Sequence, residues 1–343
     1  MATTSWSSDP PTASAGPSTA SSLRPLRRTD PPPRPTGPRA VLLSEVVTGL
    51  GRKPKALPSR AMFDAAGARL FACLAGSDAH YLTRSELSLL RAHAPVIGEA
   101  LGEDVHLVDL ACGDGARTSL LLEHLRSPAR VTVADRVNGA ATRVAASLSA
   151  ARPDLPILAL DAQDPWAARA PSFARATRTV AYLSSSVIGE LEPRDVKAAL
   201  QRLAVECGRQ GGLLVAVDLK KSPHALEAAY ADPAGFGASF DLNVLARLNR
   251  ELGASFDLGA FEHRAAYDAA KGRVEMQLVS KRWQWAAVHG QWFNFGAGEA
   301  VTTLVAYKYT VKWFSSLALA AGWKVDHVFT ADEQGYALVL LTT

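Results

Sequence analysis

The sequence predicts an α/β fold: an open parallel sheet with helices on both faces, interrupted by an inserted second domain of α+β character. Three observations predict it. Apolar runs alternate with amphipathic stretches between residues 86 and 220, the rhythm of β-α repeats. The runs are continuously apolar, as in strands buried on both faces. The rhythm breaks after Leu219 and returns near the C-terminus.

Taken in chain order, residues 1–40 are rich in Pro, Ser, Thr and Ala and include Pro31-Pro32-Pro33. Such a segment cannot bury enough apolar surface to order itself and is expected to be disordered. It has no apolar core of signal-peptide length. Residues 41–85 find no place in the parallel sheet and are grouped with 221–308 as the inserted substrate-binding domain. Strands fall near 105–111, 130–135, 156–161, 178–184 and 212–219. Helices fill the gaps, one starting near Thr118 and one running from Arg194 to Glu206 behind Pro193. Lys220 to Gly253 reads as mostly helical, with Asn243–Leu252 amphipathic. Alternating strands follow over Arg273–Gln284 and Trp292–Ala297. A helix near Val311–Ala321 and strands at Val325–Thr330 and Tyr336–Leu341, joined by a turn at 331–335, return to the first domain. That domain spans 86–220 and 309–343, and a cleft between the two domains is the expected ligand site.

Composition excludes several classes. A chain of 343 residues, 48% hydrophobic and 20% charged, supports one large domain or two ordinary ones. Of the net charge of +4, residues 1–40 contribute +3. The remainder is near neutral and its basic residues do not cluster with aromatics, which argues against nucleic acid. No run approaches ~18 apolar residues, so no membrane span is expected. Cys73, Cys112 and Cys207 are odd in number and far apart, which suggests neither a disulfide framework nor a zinc knuckle. Eight scattered histidines imply no metal site. The expectation is a cytoplasmic monomer.

The most informative segment is Asp109-Leu110-Ala111-Cys112-Gly113-Asp114-Gly115. An acid, a small-residue turn and a helix start present backbone N–H groups to a nucleotide-like ligand. Two further strands end in Asp135 and Asp161. An acid at the tip of the second strand accepts from both ribose hydroxyls, and one at the third accepts from an adenine amino group. Ala111 replaces the first glycine of a dinucleotide loop. Three strand-end acids with this glycine pattern favour S-adenosylmethionine (SAM) over a dinucleotide, within a Rossmann-like domain. The competing reading of Asp135 and Asp161 is helix N-capping.

Further segments carry a family resemblance. They are Lys55-Ala56-Leu57-Pro58, Phe63-Asp64-Ala65-Ala66-Gly67, Leu70-Phe71, Tyr81-Leu82-Thr83-Arg84-Ser85-Glu86, Val217-Asp218-Leu219-Lys220-Lys221, the long block from Tyr230 to Leu252, and Phe261-Glu262-His263. Over residues 45–343 the chain resembles the histidine-specific SAM-dependent methyltransferases of the ergothioneine pathway and their fungal dimethylallyltryptophan N-methyltransferase relatives. The resemblance implies methylation of the free amino group of an amino acid. It implies that Tyr81, Gly113, Arg117, Asp135 and Asp161 hold SAM beside the loop acid Asp109, with Tyr81 and Arg117 on the methionine carboxylate. It also implies that Phe63, Glu190, Tyr230, Met276, Leu304 and Ala306 line the substrate.

The departures point to a changed substrate. Where the family has Gly-Asn to grip the substrate carboxylate, this chain has Gly189-Glu190, and an ionised glutamate repels a carboxylate. Where the family has Thr-Glu-x-Ser to bind imidazole, this chain reads Thr303-Leu304-Val305-Ala306. Phe63 replaces a tyrosine, and Ala162 follows Asp161 where phenylalanine is common. A site selects histidine because its buried polar groups need that partner. Without them the expected activity is SAM-dependent N-methylation of another small amine or amino acid with a larger, more apolar side chain. Trp283, Trp285 and Trp292 are candidates for an aromatic wall or are ordinary sheet tryptophans. Tyr230 and Glu190 are candidates for taking the amine proton, although Glu190 could instead pair with Arg194 at i+4. The alternatives are an unchanged histidine Nα-methyltransferase and an inactive SAM-binding partner protein.

Overall fold

The computed structural model describes residues 35–161, 178–331 and 335–343. Most of the expected disordered tail, Ala162 and the turn residues 332–334 lie outside the described residues. The described residues form one compact unit. No described helix is long and apolar enough to cross a membrane.

The chain opens with α1 (Pro38–Leu50), which begins inside the segment expected to be tail. β1 (Lys55–Ala56), α2 (Ala65–Ala75) and α3 (Tyr81–Leu101) follow. α3 runs unbroken through positions 85 and 86, where the sequence suggested a domain boundary. Then come β2 (Val105–Asp109), α4 (Ala116–Leu122), β3 (Arg130–Asp135), α5 (Ala140–Ala151), β4 (Ile157–Asp161), β5 (Arg178–Leu183), α6 (Pro193–Cys207) and β6 (Gly212–Asp218). α4 starts at Ala116, two residues before the expected Thr118, behind the left-handed N-cap Gly115. The remaining elements are α7 (Pro223–Ala228), α8 (Phe236–Leu252), β7 (Phe261–Asp268), β8 (Arg273–Ser280), β9 (Gln284–Val288), β10 (Gln291–Phe295), β11 (Ala300–Tyr307), α9 (Val311–Ala320), β12 (Lys324–Ala331) and β13 (Tyr336–Thr342).

Seven strands form one sheet in the order β12-β13-β6-β5-β2-β3-β4. β6, β5, β2, β3 and β4 are parallel, and β13 runs antiparallel between β6 and β12. This is the Rossmann-like arrangement. The chain builds outward from β2 to β4, then returns to the other side of β2 with β5. The order reverses there, so the loops after β2 and β5 splay apart and leave a crevice. Alternation sends Val105 and Leu107 of β2 to one core and Val108 to the other.

A second sheet has the order β1-β11-β8-β7, and β9 and β10 form a separate hairpin. The strand expected over 273–284 is thus two, β8 and β9. Residues 41–85 supply β1, which pairs in parallel with β11. β11 carries a bulge between Thr302 and Leu304. Beyond it Leu304, Ala306 and Lys308, two residues apart, line a common cavity.

The block from Tyr230 to Leu252 has mainly a framing role. Asp232 accepts from the N–H groups of Phe236 (3.1 Å) and Gly237 (2.6 Å), seating the first turn of α8. Asn243 donates to Asp64 (2.9 Å), and Arg247 to the carbonyl oxygens of Arg60 and Ala61. His263 contacts Asp241 (2.7 Å) and the Tyr230 carbonyl (3.1 Å) through its two ring nitrogens. These bonds fix the backbone that presents Phe63 and Tyr230. A Cβ at Gly237 would stand 2.1 Å from the Tyr230 carbonyl oxygen. Gly237→Ala is therefore expected to cost roughly 1–3 kcal/mol or more, as overpacked sites do, measured by chemical denaturation.

Candidate active site

A cavity of about 670 Å³ opens at the carboxyl ends of β2, β3 and β5 and is closed on the far side by β11 and α2. One half of it is built by strand ends. Gly113 adopts φ +58°, and its N–H donates to Asp135 Oδ2 (2.9 Å). The Val137 N–H donates to Asp135 Oδ1 (2.8 Å). Each carboxylate oxygen keeps acceptor capacity for a ligand hydroxyl. Asp135 does not cap α5, whose N-cap position is Gly139. Asp161 sits beside it in the sheet, paired with Asp135 in register. Only its backbone is described.

Arg117 is buried and faces the same space. Its Nη2 donates to Ser185 Oγ (2.7 Å), and its Nε lies 3.8 Å from Glu86 Oε2 without a hydrogen bond of its own. An added Cβ on Gly113 would stand 3.2 Å from the Arg117 guanidinium, so glycine lets this cation approach the loop. Glu86 is fully buried. It accepts from the Tyr182 hydroxyl (2.5 Å), the Ser185 N–H (2.9 Å) and the Tyr336 hydroxyl (3.3 Å). A braced guanidinium beside an acid-tipped glycine turn suits a ligand that carries both a carboxylate and a ribose.

Two expected cofactor contacts are placed elsewhere. Asp109 is sealed from the cavity and accepts from the Ala111 N–H (3.0 Å) and the Thr118 hydroxyl (2.5 Å). It braces the turn rather than touching a ligand. Burial pushes its carboxyl up to about 6, against those two hydrogen bonds. The Tyr81 hydroxyl donates to Asp218 (2.8 Å) and does not line the cavity.

Asp218 ends β6 and is fully buried. It pairs with Lys308 (2.7 Å) and Lys221. Burial pushes its carboxyl up, but the two lysines outweigh this and hold it below the usual range. Burial in turn lowers Lys221 to about 8, opposed by Asp218. Lys308 also donates to the Tyr230 hydroxyl (2.9 Å). Lys308 and Tyr230 thus form the floor of the cavity, and Asp218, Lys221 and Tyr81 lie behind them.

The other half is apolar. Phe63 and Phe71 meet edge to face at 5.7 Å, and Phe240 backs them at 5.2 and 5.5 Å. Leu304 and Ala306 continue the wall. Met276 is a correction: it is the register partner of Leu304 one strand further from the cleft and lies in the core, outside the cavity. Trp283, Trp285 and Trp292 are 61%, 49% and 65% exposed around the β9–β10 hairpin, so they supply no wall. Glu190 lines the cavity but is not a bare anion. It accepts from Arg136 (2.8 Å) and from Ser59 (3.3 Å), and the Arg136 guanidinium lies 4.7 Å over the Phe63 ring. Arg194 pairs with Asp195 instead. The pairing with Arg194 fails because Val187–Glu190 is a 3-10 turn and the helix starts only at Pro193.

Sequence reasoning missed His80, Arg136 and Lys308 on the cavity wall and gave Asp218 and Glu86 no role. Lys308 was legible as the next alternate position after Leu304 and Ala306. Asp218 was legible as a further acid at a strand end.

A family profile described as "Histidine-specific methyltransferase, SAM-dependent" matches residues 42–343. The histidine N-alpha-methyltransferase of Mycolicibacterium smegmatis is 33% identical over 305 residues, covering 87% of this chain and 94% of that protein. N-methyltransferase imqF of Aspergillus flavus is 23% identical over 309 residues, covering 87% and 84%. Among solved structures, the 1,6-didemethyltoxoflavin-N1-methyltransferase of Burkholderia thailandensis with bound S-adenosylhomocysteine aligns at TM-score 0.42 and 14% identity, covering 81% of this chain and 88% of that one.

Replacing Asp135 by Ala removes a charged acceptor that also fixes Gly113 and Val137. Hydrogen bonds to charged groups are worth about 1.5–3 kcal/mol, so SAM binding is expected to weaken by roughly 10- to 150-fold in calorimetry.

Proposed function

Because the chain belongs to the histidine-specific, SAM-dependent methyltransferase family, we propose that it methylates the amino nitrogen of a small amine or amino acid with an apolar side chain, and not histidine. One observation carries the reading: Leu304 and Ala306 face the cavity beside Phe63 and Phe71, with no polar side-chain atom among them. An imidazole packed against these four side chains would lose water without gaining a partner from them, whereas an aromatic or aliphatic side chain loses nothing. Arg136 neutralises Glu190, so charge at that loop does not exclude a carboxylate. The proposal therefore covers amino acids as well as amines.

SAM, when bound, supplies a methyl group already activated on a sulfonium. The protein's own task is alignment and exclusion of water. Gly113 and Asp135 suit the ribose side, and Arg117 suits the methionine carboxylate. The phenylalanines, Leu304 and Ala306 keep the acceptor side dry. Burial raises the Tyr230 phenol above its ordinary range, opposed by Lys308, so it stays protonated. Its oxygen orients a substrate N–H and is not a base.

Calorimetry against histidine, tryptophan, phenylalanine, tyrosine and the decarboxylated amines tests the reading. Histidine is expected to bind roughly tenfold or more weaker than the best apolar candidate, the scale on which apolar pockets discriminate. Tight histidine binding sinks it, and SAM binding with no methylated product from a metabolite library favours an inert partner protein. Glu190→Gln is expected to reduce substrate affinity or turnover several-fold while leaving SAM affinity within twofold. Loss of SAM binding instead would show that Glu190 lies on the cofactor side.

A further inference from the structure

His80 is 3% exposed at the N-terminal boundary of α3 and lines the cavity. Its ring stands edge-on to Phe71 (5.9 Å) and to Tyr230 (6.1 Å). Nδ1 is 2.8 Å from the Ala229 carbonyl oxygen. A carbonyl only accepts, so Nδ1 must carry a hydrogen. Burial lowers the affinity of the ring for a second proton; the Ala229 bond opposes this and the Lys308 cation adds to it. The neutral ring then presents the lone pair of Nε2, which has no hydrogen-bond partner among the described residues. The charged and titratable groups around it are Lys308 beyond β11, Asp218 at the end of β6, Arg84 on its own helix and Tyr230.

The other basic candidates on this side are engaged. Glu190 is tied to Arg136 and Ser59. The Tyr230 oxygen already accepts from Lys308. Asp218 is closed off behind Lys308, Lys221 and Tyr81. His80 combines a fixed tautomer, an open acceptor and a place on the cavity wall.

We propose that His80 is a catalytic residue whose Nε2 takes the proton of the substrate ammonium. This rests on the reading of the cavity as an N-methyltransferase site. An N–H bond of the ammonium breaks, its electron pair stays on the substrate nitrogen, and a new N–H bond forms at Nε2. The freed pair forms the N–C bond to the methyl group as the donor S–C bond breaks with its electrons passing to sulfur. The imidazolium then releases its proton to water. The Lys308 ammonium near the ring favours that release and disfavours a protonated amine in the cavity.

The test has one arm independent of turnover. Nitrogen-15 NMR of the full chain with labelled histidine should show His80 at pH 7 with a protonated Nδ1 and a bare Nε2; a hydrogen on Nε2 overturns the proposal. In the second arm the best-accepted amine of the panel is the substrate. His80→Gln keeps a hydrogen-bonding side chain of similar reach but cannot take a proton. It should lower kcat at least 30-fold and abolish the acidic limb of the pH profile, with SAM affinity within twofold and an unchanged melting temperature. His80→Asn is the second variant if the first melts early. An unchanged kcat and pH profile overturns the assignment. Wild-type protein that binds SAM but methylates no amine in the panel defeats the N-methyltransferase reading itself, and this proposal with it.

Discussion

The arrangement depends on one buried ion pair. Asp218 closes β6 of the large sheet, and Lys308 follows β11 of the small one. Backbone bonds run alongside: the Tyr309 N–H donates to the Asp218 carbonyl, and the Lys220 N–H to that of Tyr309. The two sheets thus meet beside the cavity floor, and the Tyr307 hydroxyl and Arg273 add bonds to Glu192 nearby. A buried pair of this kind is a poor source of net stability, because desolvation offsets much of the attraction. Its value is positional. Losing one partner strands a charge, at a typical cost of about 3–5 kcal/mol, so the sheets cannot drift apart at this point without penalty. Tyr81 and Tyr230 complete the shell, which is why these tyrosines are structural neighbours before they are ligand contacts.

A parallel logic holds the cofactor side. Glu86 takes four contacts from α4, β5, β13 and the loop after β5, and so fixes Arg117 and Ser185 together. Ser185 and Ser186 both adopt positive φ, at 58° and 52°. Strained non-glycine backbone persists where its surroundings over-determine it. Here the Arg117–Ser185 bond and the Ser186–Asp218 bond do so. The loop thereby turns Glu190 into the cavity, where Arg136 meets it.

The large sheet was legible because β2, β3, β4 and β6 are largely apolar runs that end in acids. The small sheet was less so. β7 mixes polar and apolar positions along partly exposed strand, and the bulge at Thr303 breaks the alternation of β11. At the site, sequence reasoning identified which residues differ from the family pattern but not what they meet. It saw Glu190 without Arg136, because their partnership spans two loops from different strands. It gave Tyr81 to a ligand because nothing in a linear chain reveals that Asp218 stands 2.8 Å away. It overlooked His80 because a lone histidine before a helix carries no motif. Only the carbonyl of Ala229, far along the chain, fixes its tautomer.

The central claim is that the cavity has exchanged imidazole recognition for an apolar wall. The most direct measurement is a competition: purified full-length protein and SAM are given histidine, tryptophan, phenylalanine and their decarboxylated amines together, and methylated products are counted by mass spectrometry. The expected result is N-methylated apolar amine or amino acid in large excess over methylated histidine. Methylhistidine as the dominant product would contradict it.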